Sequence, residues 1–329
     1  MTENALIRWL RRQEPALAEL LGDDAAVLPP LPSPAVTVDS QIAGIHFPEG
    51  LDPALLAQRL LAVNLSDLAA MGASPRYGFL TLSVPEGFDH RRFFRAFLKA
   101  CRIFGVRLAG GDLASCRQVT TSLTLVGELP PGGHWLKRST GRARHDLWLG
   151  GTVGESALGY HLLAAGAQWQ GNRISLPKHF EAPTTVARAA RRAIRRHLRP
   201  SPQLELGRWL GQQGAGGAID ISDGLSLDLH RLCEASGTGA EVFTQQLPTA
   251  PKFEELCRQL DQPPLDLALS GGEDYVLLFS LPTGTTPPNE FGCYPIGRLT
   301  QTGDLLAVTS ETTQPLRAVG WDHLARPSH

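Results

Sequence analysis

An α+β fold built as two domains is what this sequence predicts, and three observations predict it. The chain has 329 residues, more than one hydrophobic core comfortably organises, so two units of roughly 140 to 190 residues are expected. Segments of period-2 and period-3.6 apolar patterning follow one another in an order that suggests α+β. The run Leu129-Pro130-Pro131-Gly132-Gly133 ends a strand pattern with residues that continue neither regular structure. The boundary is placed there, giving domains at 1–134 and 135–329.

The elements are justified in order. Val36 and Val38 alternate with Thr37 and Asp39, as in a half-buried strand. Asp52-Pro53 opens a helix, with Asp as cap and Pro at the first helical position; its apolar residues run through Leu56, Leu60 and Val63 to the stop at Gly72 and Pro75. Asn64 and Asp67 then share a face. A strand (78–84), a helix from Asp89 to Phe104 closed by Gly105, a strand into Gly110-Gly111-Asp112 and a β-rich run (119–129) complete the first half. The second half reads as a strand (146–150), helices at 155–165 and about 183–198, a strand at 217–221, a helix after Asp223, a strand at 240–244, another helix and a strand at 275–280.

Composition narrows the function classes. Apolar residues are 42%, charged residues 19% and the net charge is −1, so the chain is globular and lacks the basic field of a nucleic-acid binder. The Arg-rich stretch 191–199 reads as a solvated helix face. No secretory signal or membrane-spanning run is visible, which points to a cytoplasmic protein with no membrane partner. The five cysteines, Cys101, Cys116, Cys233, Cys257 and Cys293, are scattered without metal-site spacing, and are expected as reduced, buried thiols.

The chemistry is carried by carboxylates placed at strand ends and beside glycines: Gly22-Asp23-Asp24, Asp39, Asp67, Gly110-Gly111-Asp112, Asp220-Ile221-Ser222-Asp223 and Gly271-Gly272-Glu273-Asp274. Any one of them is ordinary turn or cap chemistry. As a set without His or Cys they suit Mg²⁺, which takes oxygen ligands and shares them with substrate phosphates. Asp220 and Ser222 point to one side of their strand and Ile219 and Ile221 to the other, with Asp223 expected to cap the next helix. That strand-to-helix turn offers backbone N–H groups to phosphate, and Gly110-Gly111 lets backbone approach one closely. No P-loop, dinucleotide fingerprint or protein-kinase motif set is present, so ATP chemistry would use another scaffold.

These blocks resemble, in order, the motifs of thiamine-monophosphate kinases: Gly22 to Ala26, Asp39 with Ala43 to Phe47, Ala62 to Ala73, Gly110 to Asp112, Ala218 to Leu225 and Ser270 to Tyr275. The Asn64–Ala73 and Ser270–Tyr275 blocks are the most specific. The resemblance implies a two-domain aminoimidazole ribonucleotide synthetase-like fold and a homodimer whose N-terminal sheets pair into a β-barrel. It implies direct in-line transfer from ATP to thiamine phosphate, giving thiamine diphosphate. Residue by residue, it implies Mg²⁺ ligands at Asp24, Thr37, Val38 (through its carbonyl), Asp39, Asp67, Asp112, Asp220 and Asp223. ATP contacts are implied at Gly111, Asp112, Arg138 and Ser222, substrate contacts at His46, Glu273 and Trp321, and principal catalytic roles at Asp67, Asp112 and Arg138.

The chain departs from the family pattern in places. Val38 stands where a Thr is usual, the turn 141–146 lacks its Pro-Gly, Val276 replaces a Glu, and Gln203 replaces an Arg after the retained Arg199-Pro200-Ser201-Pro202. Two alternatives follow: another ATP-dependent enzyme of the same superfamily, or a catalytically weakened nucleotide-binding protein. The selenophosphate branch would want a reactive Cys near the start and the hydrogenase-maturation branch one at the C-terminus, where this chain has Arg326-Pro327-Ser328-His329.

Overall fold

A computed structural model describes residues 3–21, 24–171 and 173–321. Gly22, Asp23 and the terminal run 322–329 therefore lie outside the described residues. In chain order the elements are α1 (Glu3–Gln13), β1 (Pro34–Ile42), α2 (Pro53–Ala70), β2 (Ser74–Val84), α3 (His90–Phe104), β3 (Arg107–Ser115), β4 (Thr120–Glu128), β5 (Asp146–Leu149), α4 (Glu155–Ala164), β6 (Gln168–Gln170), β7 (Arg173–Ser175), α5 (Thr184–Leu198), α6 (Leu204–Gln212), β8 (Ala218–Asp220), α7 (Leu225–Ser236), β9 (Gly239–Phe243), α8 (Phe253–Gln259), α9 (Pro264–Ser270), β10 (Leu277–Leu281), β11 (Tyr294–Thr300), β12 (Leu305–Val308) and β13 (Thr313–Pro315).

The starts of α2 and α3 are built as read. Asp52 accepts the Ala54 N–H at 2.8 Å with Pro53 next, Asp89 accepts from Arg92 at 2.9 Å, and Gly105 closes α3 in the left-handed region. The short elements α6, α9 and β11 to β13 carry little periodicity and were not legible.

Among the described residues a four-stranded sheet has the order β1-β4-β2-β3 and a seven-stranded sheet the order β13-β12-β9-β11-β5-β10-β8. In the first, β1 and β4 are antiparallel while β2 and β3 run parallel. One row across it reads Asp39, Leu123, Leu80, Gly111, and the next reads Ser40, Ser122, Thr81, Asp112. Leu80 and Leu123 are buried with α2 and α3 residues such as Leu60, Leu65 and Phe97. The neighbouring row therefore faces the other way. On that open face Val36 and Val38 are 66% and 61% exposed, and Leu20, Ala26, Leu28 and Leu31 cover only the end around Tyr77 and Val126. A Cβ at Gly111 would lie 1.9 Å from the Leu80 carbonyl oxygen, so strand contact alone demands glycine there.

The largest apolar cluster joins both sheets, since Leu80, Leu82 and Leu125 share it with Leu204, Leu210, Leu277 and Phe279. A second cluster lies under β5, β8 to β11 and α7, and a third between α4, α5 and α8. This burial is what sets the angle between the sheets, and with it the site.

Three expectations change. Cys101, Cys233 and Cys257 are buried, but Cys116 and Cys293 are only partly so; all five are free thiols. The 191–199 stretch is not a purely solvated face: Arg192 pairs with Glu155 and Arg196 donates to the Asp274 carbonyl at 2.6 Å, because α4 and the 271–276 loop pack against α5. The turn after Arg138 takes its own shape, with Arg144 at φ 72°, a value the proline ring cannot reach.

Candidate active site

The site is built where α2 crosses between the sheets. Thr37 and Asp39 project from β1 toward α2, and the Thr37 hydroxyl donates to Asp67 Oδ2 at 2.5 Å. One residue earlier, Ser66 donates to Asp220 Oδ2 at 2.7 Å from the same helix, so adjacent residues of α2 reach β1 on one side and β8 on the other. Asp39, Asp67 and Asp220 thereby converge from three elements. Burial, then the charges of Asp220 and Asp223, push the Asp39 carboxyl up to about 6, with Arg59 opposing. Asp67 and Asp220 are raised by burial and by neighbouring carboxylates, the first by Asp39 and the second by Asp67, and Arg138 opposes both shifts. Arg138 begins a single 3₁₀ turn, Arg138–Thr140, at the edge of this group.

The 220–224 turn differs from its expectation in a way that matters. Asp228 Oδ2 accepts the backbone N–H groups of Ser222, Asp223 and Gly224 at 3.1, 3.0 and 3.2 Å. The donors expected to meet a phosphate are thus consumed by a carboxylate one turn into α7. Gly224 precedes the helix as its cap, and Asp223 is not the cap; it pairs with Arg231. Ser222 remains on the turn with its hydroxyl as the group it can offer.

Against this turn lies the 271–275 loop. Glu273 N–H donates to Ser222 O at 2.7 Å and Tyr275 N–H to Ile221 O at 2.8 Å, while Glu273 and Tyr275 take φ of 63° and 49°. Two left-handed non-glycine residues cost on the order of 1–3 kcal/mol each, and they persist because the turn and the loop fix one another. A Cβ at Gly272 would sit 2.6 Å from Ser222 O. Asp274 is wholly buried and accepts the Gly154 and Ser156 N–H groups at 2.6 and 3.1 Å, satisfying the start of α4 from outside that helix. Two of the departures are explained nearby. Gln203 accepts the Leu277 N–H at 2.7 Å and donates to Gly150 O, stitching β5 to β10 with one amide, and Val276 is buried in the second core.

The other two substrate candidates are His46 and Trp321. His46 is half-buried, and its Nδ1 accepts the Ile42 N–H at 3.1 Å, so a neutral ring carries its proton on Nε2. Trp321 is 54% exposed and its backbone N–H donates to the Asp223 carbonyl at 2.8 Å, tying the last described residue to the acidic turn.

The remaining carboxylates are not gathered with these. Asp112 lies in the open-face row of β3, and Asp24 lies in the exposed segment that runs along that same face. Val38 also turns its side chain to the open face, away from Asp67. From Asp39 across β4 and β2 to β3 is three strand spacings, about 14 Å. Among the described residues no three Asp, Glu, His or Cys side chains form a closed metal-binding cluster. The donor set nonetheless fits a hard cation: buried carboxylates that repel one another, with raised pKa values and a hydroxyl alongside, are relieved by Mg²⁺, which completes its shell with water and phosphate.

The first-domain residues 22–129 match the family model for AIR synthase related protein, N-terminal domain. A thiamine-monophosphate kinase of Salmonella typhimurium is 38% identical over 80% of this chain and 76% of its own, and one of Aquifex aeolicus is 28% identical over 93% of each. Among solved structures, AaThiL complexed with AMPPCP and TMP superposes with a TM-score of 0.77 at 25% identity, covering 98% of this chain and 97% of its own. The thiamine-monophosphate kinase of Stenotrophomonas maltophilia gives 0.78 at 30% identity over 93% and 96%. A hydrogenase maturation protein, HypE, in complex with ATP, at 18% identity and a TM-score of 0.74 over 98% and 96%, shares the fold.

Proposed function

Because this chain belongs to the thiamine-monophosphate kinase family, we propose that it transfers the γ-phosphoryl group of ATP to thiamine phosphate, giving thiamine diphosphate and ADP, with Mg²⁺. The observation that carries this reading is the convergence of Asp39, Asp67 and Asp220 from β1, α2 and β8. Three mutually repelling buried carboxylates are costly without a cation, and phosphoryl transfer is chemistry that brings one.

In the reaction, an oxygen of the thiamine phosphate group attacks the γ-phosphorus in line, its new P–O bond forming as the bond to the ADP oxygen breaks. That nucleophile is already anionic, so no general base is required of the protein. Asp24, Thr37, the Val38 carbonyl, Asp39, Asp67, Asp112, Asp220 and Asp223 are the proposed Mg²⁺-bearing groups. When bound, Mg²⁺ supplies neutralisation of the phosphate oxygens. Arg138 opposes negative charge at the same place, and Gly111, Asp112 and Ser222 position the nucleotide. Glu273, His46 and Trp321 hold thiamine phosphate: a carboxylate for its cationic ring system, an Nε2–H donor, and an indole face.

We also propose a homodimer formed through the open face of the first sheet. The exposed Val36 and Val38 support it, as does the position of Asp112 on that face, where a second copy would enclose it. The division into domains 1–134 and 135–329 and a cytoplasmic location belong to the same proposal; the absence of any helix among the described residues long and apolar enough to cross a membrane agrees with it.

The test is incubation of purified protein with ATP, Mg²⁺ and thiamine phosphate, with chromatographic detection of thiamine diphosphate. Product formation well above that of Asp67→Ala is expected. Equal product from both would overturn the kinase reading.

A further inference from the structure

Arg59 has entered so far only as a charge that opposes the rise of the Asp39 pKa, yet its own environment is unusual. It is wholly buried, at 0% exposure, in the middle of α2 among leucines. A guanidinium is placed there only when its donors are matched, because an unpaired buried charge is costly. Here they reach three separate elements. Nε donates to Gln41 Oε1 on β1 at 3.0 Å, Nη1 to the His197 carbonyl at the end of α5, and Nη2 to Glu273 Oε1 on the 271–275 loop.

Glu273 is held from its other side too. His197 Nδ1 lies 3.1 Å from Glu273 Oε2. Burial and the Arg59 charge keep that imidazole neutral by lowering its pKa, so its Nδ1–H is the donor to a carboxylate that can only accept. Ser156 Oγ stands 3.2 Å from the same nitrogen. Both carboxylate oxygens thus have fixed partners, while 26% of the side chain remains exposed.

We propose that Arg59 is a positioning residue for thiamine phosphate, acting through Glu273: it clamps the carboxylate so that its exposed edge is presented to the cationic ring system in one orientation. The planar fork is what allows one side chain to hold a strand, a helix end and a loop at once; an ammonium in its place offers charge without that geometry. A carboxylate fixed before the substrate arrives spares the ordering cost of binding. The inference rests on the kinase reading and on Glu273 as a substrate contact.

The test uses the full chain with Arg59→Met, Arg59→Lys, Glu273→Gln and the Arg59→Met/Glu273→Gln pair, measuring KM for thiamine phosphate and for ATP separately. Direct binding of thiamine phosphate without ATP is measured alongside, by tryptophan fluorescence. Arg59→Met is expected to raise KM and Kd for thiamine phosphate by about tenfold or more, the usual scale for loss of a supporting partner behind a contact residue. KM for ATP should move by less than about threefold, and Arg59→Lys should recover part of the loss. The pair should be no worse than Glu273→Gln alone, since both act on one contact.

Arg59 also bears on Asp39, so equal rises in both KM values would point to the carboxylate group instead and overturn the proposal. Additive effects in the pair would overturn it as well. If Arg59→Met does not fold, Arg59→Lys decides: an unchanged Kd for thiamine phosphate overturns the role. An unchanged KM in Glu273→Gln would sink the assignment of Glu273 and this inference with it. A raised KM there beside an unchanged one in Arg59→Met would remove Arg59 alone.

Discussion

The two faces of the four-stranded sheet are opposites made from one alternating pattern. On the covered face, Thr37, Asp39 and Gln41 lie toward α2, where the Thr37 hydroxyl donates to Asp67 and Arg59 donates to Gln41, and all of these side chains are wholly or partly buried. On the open face, Val36 and Val38 are exposed while Asp112 lies in the row beside them. Along β1 polar residues turn inward and apolar ones outward, the reverse of the usual economy of a half-buried strand, while β2 and β4 keep Leu80 and Leu123 inside and Thr81 and Ser122 on the open row. This inversion in β1 underlies both proposals made above, a cation with phosphates at the covered face and a second copy of the chain at the open one.

The comparison can be broken most severely at the covered face. Asp220→Asn is expected to lower kcat by about 10²–10³-fold, the scale for losing one electrostatic stabiliser of a charged transition state, with the chain still folded by circular dichroism. A variant within twofold of wild type would remove Asp220 from the machinery. On the open face, Val38→Lys puts a charge where a second copy would pack; size-exclusion chromatography should then shift from dimer to monomer. Unchanged elution would place any dimer contact elsewhere.

The enclosed carboxylates also predict a pH dependence. Their folded pKa values are raised, that of Asp39 to about 6, so in metal-free protein they favour the folded state only when protonated. That contribution is complete below their unfolded value near 4 and lost as pH rises through about 6. Asp67→Asn removes one repelling charge, so its melting temperature should match wild type at pH 4 and exceed it by about 2–4 °C at pH 7.5, the shift for roughly 1 kcal/mol in a protein of this size. Saturating Mg²⁺ should reverse that order. Equal melting curves at both pH values would mean that the carboxylates do not repel as the geometry requires.

The smallest effect concerns the family departure at Val38. Its side chain turns away from Asp67 and the substitution leaves its carbonyl in place, so Val38→Thr should change the Mg²⁺ concentration for half-maximal activity by less than about twofold, as expected for an exposed side chain. A larger gain would mean that the missing hydroxyl matters after all, and would favour the weakened-protein alternative.

Sequence reasoning reached these faces unevenly. Period and caps located β1, α2, α3 and α7 closely because those signals are local, and the pairing of Asp39 with Thr37 on one side of β1 followed from alternation alone. Arg59 and Asp228 were missed. Each sits in an otherwise ordinary helical pattern, and what marks it is a partner far away in the chain: Glu273 for Arg59, and for Asp228 the backbone of the turn it caps. A charge in the middle of an apolar helix face was the available signal for Arg59. The phosphate role of the 222–224 N–H groups failed for a related reason, since a turn's free donors are visible in sequence while the side chain that takes them is not.

By itself, then, the sequence determined the local elements, the family and the acidic chemistry, because turn residues, alternation and ordered motifs are written in consecutive residues. Only the tertiary structure decided which carboxylates lie together. It set Asp112 on the open face of the first sheet and brought Asp39 and Asp220 to Asp67 of α2, because side-chain direction across a sheet depends on register, and register is fixed by which strands and helices the apolar core brings into contact.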